Sequence, residues 1–447
     1  MSADQEKDDY LSEGITEHLT TVLSQVKGLR VPARTSAAVF RGKGHDVRKI
    51  GEQLHVSAVL EGSVQRAGSK LRITVTLIST ANDSHLWATS YDREMAEIFD
   101  VQSEVAQQVV AALKLQLLPE EKSQLAKRPA ANLEAYELYL QGRYAQGKLT
   151  EAALTNSLHY FEQAIQKQAD FALAYAGLAD SYRLLTPLYR APLEVMPKAK
   201  EYALKALQLD GTLSEAHTAL GMIHFFFDWD WANAEAEFQR ALQLSPNNAN
   251  AHHQYAVFLA AMKRPQEARR EIQRAQALDP LSLEVSADFE WILFLDGRYD
   301  EMITQARRTL QREPNFATSH ADLGLALAQK GAFKEALSEL EKAHELDGSP
   351  TFALYLASGY AMAGKKAEAE KLLEEMKALA KRRYVCAHEI ATGYALLGEK
   401  EQAFEWFGKG LAERCDCLVY PETEPFFKSL RGDPRFADLL RKVGLDK

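Results

Sequence analysis

The chain has 447 residues, 46% of them hydrophobic and 26% charged, with a formal charge of -9; this balance belongs to a folded chain long enough for a large core. The acidic balance, without a basic stripe, excludes a surface built mainly for nucleic-acid phosphates. Three cysteines, Cys386, Cys415 and Cys417, exclude a disulfide framework, and there is neither a run of about 18 apolar residues nor a charged-then-apolar leader, so the sequence shows no membrane span and no secretion signal.

From Tyr10 onward, Leu11, Ile15, Leu19, Val22 and Val26 advance by three or four, which predicts one stripe of an amphipathic helix. Leu29 to Pro32 reads as a short strand and Asp46 to Leu54 as a second short helix. Between them, Gly42-Lys43-Gly44 lacks the third glycine of a dinucleotide loop and the Gly-Lys-Ser/Thr ending of a P-loop, and is read as a turn. Three strands are predicted next, Ala58 to Gln65, Leu71 to Ser79 and Leu86 to Asp92, separated by the turn signals Ala67-Gly68-Ser69 and Asn82-Asp83-Ser84. In the middle strand Leu71, Ile73, Val75 and Leu77 alternate with Arg72, Thr74 and Thr76, so one face is buried. Asp100 is expected to cap a helix carrying Val101, Val105, Val109 and Leu113 that packs on that face.

The strings SADQEKDDYLSEGITEHLTTVL, LRVPARTS, VSAVLEGSVQRAGSKLRITVTLIST and LWATSYDRE resemble the TolB amino-terminal-like domain, over about a quarter of the chain. In that family the segment equivalent to Ser2-Ala3-Asp4 follows a hydrophobic strand, which is missing here; the resemblance implies that Met1 stands at an interior position and that the sheet lacks its first strand. It also implies an output module further upstream, such as a winged-helix domain, a protein kinase or a nucleotide cyclase, often followed by a membrane helix.

Pro119 to Ala131 is charged, carries two prolines and lacks apolar periodicity, as a linker does, and Asn132 is a candidate N-cap for the first repeat helix. Beyond it, small residues recur with a period of 34 at Ala234, Ala268 and Ala336, with Met302 in phase. A second register holds Ala241, Ala275, Thr309 and Ala343, preceded by Phe238, Ile272, Ala306 and Leu340, and the turn positions are Pro246, Pro280, Pro314 and Gly348. Small residues allow two antiparallel helices to cross closely, the bulky position fills the groove beside them, and Pro or Gly ends the unit. Earlier units carry Leu138, Gly142, Tyr144, Phe161 and Ala164, then Tyr175, Leu178, Ala179 and Tyr182 with a long segment around Pro187 to Pro197, then His217, Leu220 and Gly221. The last carries Ala391, Tyr394, Gly398, Ala403 and Phe407. Asp433-Pro434 opens a final helix whose stripe is Phe436, Leu439, Leu440 and Val443, ended by Gly444, which suits a cap on the stack.

The period and the order of small, bulky and proline positions resemble the tetratricopeptide repeat. The resemblance implies a mainly α fold: a right-handed α/α superhelix of about eight repeats, preceded by the small α/β domain. The expected divisions are an α/β domain over residues 1–118, a linker over 119–132, repeats over 133–420 and a capping helix over 421–447.

No catalytic constellation is found. His388-Glu389 lacks the second histidine of a zinc-protease helix and is read as a core or groove histidine. Cys415, Cys417 and Cys386 form too sparse a pattern for a metal site and are read as free or oxidisable thiols, so neither a metal nor another cofactor is expected. In the repeat family the first helix of each unit lines the concave groove. That phase places Met222, Phe225, Trp291 and Phe294 in the groove, with Asn250, His253 and Glu284 nearby. The competing reading of these aromatics is packing between neighbouring helices. The positions that would clamp a C-terminal carboxylate read Ala176, Thr218, His253, Ala287 and Ala321, with no lysine, which argues against such a clamp. The function expected is therefore non-enzymatic binding of a protein or peptide partner in a signalling setting. The alternative is the C-terminal part of a larger signalling enzyme or regulator. Nucleic acid is not an expected partner, the oligomeric state stays open, and the location expected is cytoplasmic, or periplasmic if a membrane segment precedes.

Overall fold

The computed structural model describes residues 3–42, 46–125, 128–186 and 189–446. Lys43 and Gly44 of the expected glycine turn, the first two residues and Pro187 lie outside them. The N-terminal apolar stripe forms α1 (Ala3–Ser24), with Leu11, Ile15, Leu19, Val22 and, just beyond the helix, Val26 buried. After α2 (Arg34–Ala38), Asp46 caps α3 (Val47–Leu54) by accepting the Arg48 N–H at 3.0 Å. β1 (Ala58–Ala67), β2 (Lys70–Ser79) and β3 (His85–Glu94) form an antiparallel sheet in that order, with Gly62 opposite Val75 and Val75 opposite Thr89. The alternation predicted for β2 holds: Leu71, Ile73, Val75 and Leu77 are buried, the first three in one core with α4 (Ile98–Ala112) and α1. A cavity of about 460 Å³ lies between α1, residues 28–32 and the inner face of β1 and β2.

Three local expectations are corrected. Leu29 to Pro32 is not a strand; its neighbours' backbone groups are satisfied by the repeats instead, with Asn247 Nδ2 donating to Leu29 O at 3.1 Å and Ala33 N–H donating to Leu278 O at 2.7 Å. Asp100 does not cap α4, which starts two residues earlier, and it pairs instead with Arg128 at 2.6 Å. The expected linker contains α5 (Pro119–Leu125), pinned by Glu121, whose carboxylate accepts the Lys27 N–H at 2.8 Å and the Leu118 N–H at 2.7 Å.

Helix pairs then run in tandem: α6 (Leu133–Gln146) with α7 (Glu151–Lys167), α8 (Ala172–Leu184) with α9 (Pro192–Leu209), α10 (Ser214–Ile223) with α11 (Trp231–Leu244), and α12 (Ala249–Ala261) with α13 (Pro265–Leu278). The series continues with α14 (Leu283–Leu295) and α15 (Tyr299–Arg312), α16 (Ala317–Gln329) and α17 (Phe333–Leu346), α18 (Pro350–Met362) and α19 (Lys366–Leu379), and α20 (Ala387–Leu396) and α21 (Lys400–Glu413). Asn132 caps α6 as expected, accepting the Ala135 N–H at 3.1 Å. The 34-residue columns are the crossing points, since Ala234, Ala268, Met302 and Ala336 are at most 1% exposed and Phe238, Ile272, Ala306 and Leu340 are fully buried. Gly324 shows how close the crossings are: a Cβ there would sit 2.9 Å from the Ala336 carbonyl oxygen. The chain ends in α22 (Pro434–Val443), capped by Asp433 and stopped by left-handed Gly444, which packs on α21. Among the described residues no helix is long and apolar enough to cross a membrane.

The α/β unit and the repeats share one core. Buried residues run from α1 and the sheet through Tyr136, Leu140 and Phe161 to Leu178. On the other side, the segment after α1 docks on the turn beyond α13. There Ser36, which is fully buried, donates to Asp279 Oδ1 at 2.5 Å, Thr35 donates to Asp279 Oδ2, and the Ser36 oxygen accepts the Leu281 N–H at 2.9 Å. One carboxylate thus holds two hydroxyls, of which that of Ser36 is shut off from water. Asp279→Ala should cost about 2 kcal/mol, the range for losing hydrogen bonds to a charged acceptor. Hydrogen exchange should show the loss of protection centred on residues 29–38, with the sheet unaffected.

Candidate binding pocket

The first helices of successive pairs touch one another and form the inner layer of the array. Over the last four pairs, this layer lines a cavity of about 200 Å³. α14 supplies Asp288 and Trp291, α16 supplies Asp322, α18 supplies Tyr355, and α20 supplies His388 and Glu389. The remaining wall comes from residues 414–432. These form a strap of two short 3-10 turns, Asp416–Val419 and Pro425–Phe427, laid back across the inner layer.

Aromatic contacts seat the strap. Tyr420 meets Trp291 edge-on at 5.9 Å between centroids, Phe426 lies 5.3 Å from Phe294, and Phe427 lies 5.2 Å from Phe407. Contacts of this kind contribute roughly 1 kcal/mol each beyond the area they bury. Arg414 anchors the near end, its guanidinium 4.4 Å from the Trp229 ring centroid and donating to Phe227 O at 3.2 Å, while Lys263 pairs with Glu422. Beyond the strap, Trp231 Nε1 donates to Gly444 O at 2.8 Å, which ties α11 to the end of the chain.

The pocket is aromatic and acidic. Burial would depress the His388 imidazolium, but the Glu424 carboxylate 2.9 Å away outweighs it and raises the pKa. His253 behaves likewise: burial lowers it, and Asp288 at 2.5 Å brings the net direction upward, so His253 stands behind the wall and holds Asp288 in place. Burial pushes Glu389 up to about 8, and its Oε2 has no hydrogen-bond partner. Asp322 is raised by burial and by Glu290 behind it; Glu290 is fully buried, accepts from Thr309 at 2.6 Å and is pushed up to about 7 by desolvation. Burial thus favours the neutral form of both carboxyls.

The six residues expected in the groove are placed differently from one another. Trp291 lines the cavity and is half-buried. Phe225 and Phe294 are fully buried and Met222 is 5% exposed, so no continuous exposed apolar strip is present: Phe225 packs on Phe258 at 5.4 Å, and Phe294 stacks behind Trp291 at 5.1 Å. His253 is buried, while Asn250 and Glu284 are exposed and lie away from the cavity. The residues that reasoning from the sequence missed are Asp288, Asp322, Tyr355 and Glu389. They occupy one column of the repeat, spaced by 34, 33 and 34 residues, so the same period that located the crossings contained the signal. The strap had no such signal, because it falls outside the repeat. Next to it, the structure gathers all three cysteines as free thiols.

Residues 230–287 match the tetratricopeptide repeat family model. The chain is similar to "Putative adenylate cyclase 3" of Rhizobium meliloti, 34% identical over 226 residues that make up 50% of this chain and 38% of that protein. It is also similar to the transcriptional regulator HilA of Salmonella typhimurium, 23% identical over 304 residues, 67% of this chain and 54% of that one. The chain thus spans between about a third and about half of the length of these curated relatives. Solved structures to which the chain is similar include YrrB, described as a TPR protein with an unusual peptide-binding site. It is 24% identical, covers 44% of this chain and 96% of its own, and has a TM-score of 0.31. Human IFIT1 covers 78% of this chain and 85% of its own at 15% identity and a TM-score of 0.46.

This geometry has two measurable outcomes. The folded state holds the Glu290 proton more tightly than the unfolded chain does, so this group's contribution to stability is greatest below about pH 4.5 and is lost as pH rises through about 7. The melting temperature should therefore drop over that interval, and Glu290→Gln, which keeps an acceptor for Thr309, should flatten the drop. Trp291→Ala removes the stacking on Phe294 and the contact with Tyr420, and should lower stability by about 2 kcal/mol in a denaturant titration, less than the loss of a fully buried tryptophan.

Proposed function

We propose that the chain is a tetratricopeptide-type binding scaffold whose pocket at Trp291 takes a basic side chain of a protein or peptide partner. The observation that carries this reading is the pair of enclosed carboxylate oxygens without a partner, Asp322 Oδ2 and Glu389 Oε2, between the rings of Trp291, Tyr355 and Tyr420. Buried carboxylates held protonated for want of a cation gain strongly when an ammonium or guanidinium arrives, and aromatic faces add cation–π attraction. No lysine or arginine lines the cavity to take that role internally. In this reading a cationic anchor takes the place of the apolar one expected at Met222, Phe225, Trp291 and Phe294, because three of the four are buried.

A second reading is supported by the relatives, one bearing the name of an adenylate cyclase and the other that of a transcriptional regulator. In it, the repeats and the α/β unit, read as TolB amino-terminal-like, form the interaction part of a larger signalling protein with its output activity elsewhere. The genomic sequence upstream of Met1 decides this: an in-frame output domain supports it, and a stop codon directly upstream removes it.

The pocket reading is tested by fluorescence anisotropy with labelled peptides carrying arginine or lysine, set beside the same peptides with citrulline or norleucine. The basic peptides should bind at least about tenfold more tightly, and Asp322→Asn with Glu389→Gln should abolish the difference. Equal binding of basic and neutral peptides by the wild-type protein would remove the cationic pocket.

A further inference from the structure

We propose that Cys386, Cys415 and Cys417, with the Asp416 carboxylate, form a binding site for a thiophilic divalent cation, Zn2+ in the first place, that fastens the strap to the start of α20. The ligand atoms of all four residues lie within 4.8 Å of one another. They come from two separate parts of the chain: Cys386 is the residue before α20, and the other three open the strap. Tetrahedral Zn2+ with sulfur at about 2.3 Å needs ligand atoms about 3.8 Å apart. The set already has nearly that size: Cys415 Sγ lies 3.8 Å from Asp416 Oδ1, and Cys386 Sγ, 2.8 Å from Cys415 Sγ, needs only to move outward by about 1 Å.

The cluster sits against the start of a helix. Cys415 is fully buried, and its sulfur accepts the backbone N–H of His388 in the first turn of α20, where the helix N-terminus favours negative charge. His388 Nε2, 2.9 Å from a Glu424 carboxylate oxygen, ties the strap to the same turn of α20. Asp416 Oδ1 is fixed by the Cys417 N–H at 3.0 Å. Beside the cluster the enclosed Tyr384 hydroxyl has no partner, and is a donor available to a metal-bound thiolate.

A disulfide between Cys386 and Cys415 is the competing chemistry. It would engage two sulfurs and leave Cys417 and Asp416 without a role, whereas a cation uses all four groups and offsets charge that the enclosed site otherwise concentrates. Binding exchanges the thiol protons for the metal and needs no oxidant. Its structural effect is to hold residues 415–417 against α20, and with them Tyr420, Glu424 and Phe426 over the pocket. The site stands whether or not the pocket takes a basic peptide.

The full chain, reduced and stripped of metal, is titrated with Cd2+ and followed by the ultraviolet sulfur-to-metal charge-transfer band. Zn2+ affinity is then measured against a chromophoric chelator. One equivalent of Cd2+ per chain should give the band, Zn2+ should displace it, and bound Zn2+ should protect all three thiols from a thiol reagent. Cys417→Ser, at a half-buried position where folding is least disturbed, should weaken Zn2+ by more than about 100-fold while the helical circular dichroism is unchanged. Absence of the band in the reduced wild-type protein overturns the proposal. So does one-equivalent binding that survives replacement of all three cysteines by serine, or air oxidation of Cys386 and Cys415 to a disulfide at the same rate with and without stoichiometric Zn2+.

Discussion

The close crossing of two antiparallel helices, repeated pair after pair, is the constraint on which the rest of the molecule depends. Crossings are set by a small residue facing a bulky one, as Gly142 faces the Phe161 ring and Gly324 faces the Leu340 side chain. A fully buried phenylalanine such as Phe238 stabilises its pair by roughly 2 to 3 kcal/mol, but only if the partner helix comes near enough to cover it. The pairs are then stacked with their first helices side by side, and that inner layer is what presents Asp288, Asp322, Tyr355 and Glu389 to a common space.

That space is not left open. The strap uses the two aromatic side chains that the repeat phase aims inward, Trp291 and Phe294, as its seat. An inner surface of this kind is ordinarily where a partner segment lies, and here the chain's own residues 414–432 occupy part of it. The consequence is a small pocket in place of a long groove, with acidic groups enclosed well enough that their protons are retained. The third helix pair is also tied to the C-terminal part of the chain, since Trp229 meets Arg414 and Trp231 meets Gly444.

The α/β unit obeys the same logic of shared surfaces. Its sheet and α4 bury one alternating face, as a small domain does, but α1 packs along α6 closely enough that a Cβ on Gly14 would meet Leu140 at 2.4 Å. Its next segment gives its backbone hydrogen bonds to Asn247, between α11 and α12, and to Leu278 at the end of α13. This explains why Leu29 to Pro32, which carries the pattern of a strand, is not one: the partner that satisfies it is a repeat and not a neighbouring strand.

The sequence by itself determined the elements whose cause is local or periodic. The 34-residue columns specified the four middle helix pairs and their crossings, the alternation in β2 specified its buried face, and Asn132, Asp46 and Asp433 marked helix starts, because each of these depends on residues a few positions apart or on one repeated spacing. Even the acidic column from Asp288 to Glu389 was present in that spacing. Only the tertiary structure decided which inward aromatics stay exposed, since Trp291 and Phe294 differ by the presence of Phe426, more than 130 residues away. It alone brought Cys386 to Cys415 and Cys417, and Asp279 to Ser36, 243 residues apart. Contacts of that separation carry no period, and depend on how the whole array curves, which is the sum of many small pair geometries and is not encoded at any one position.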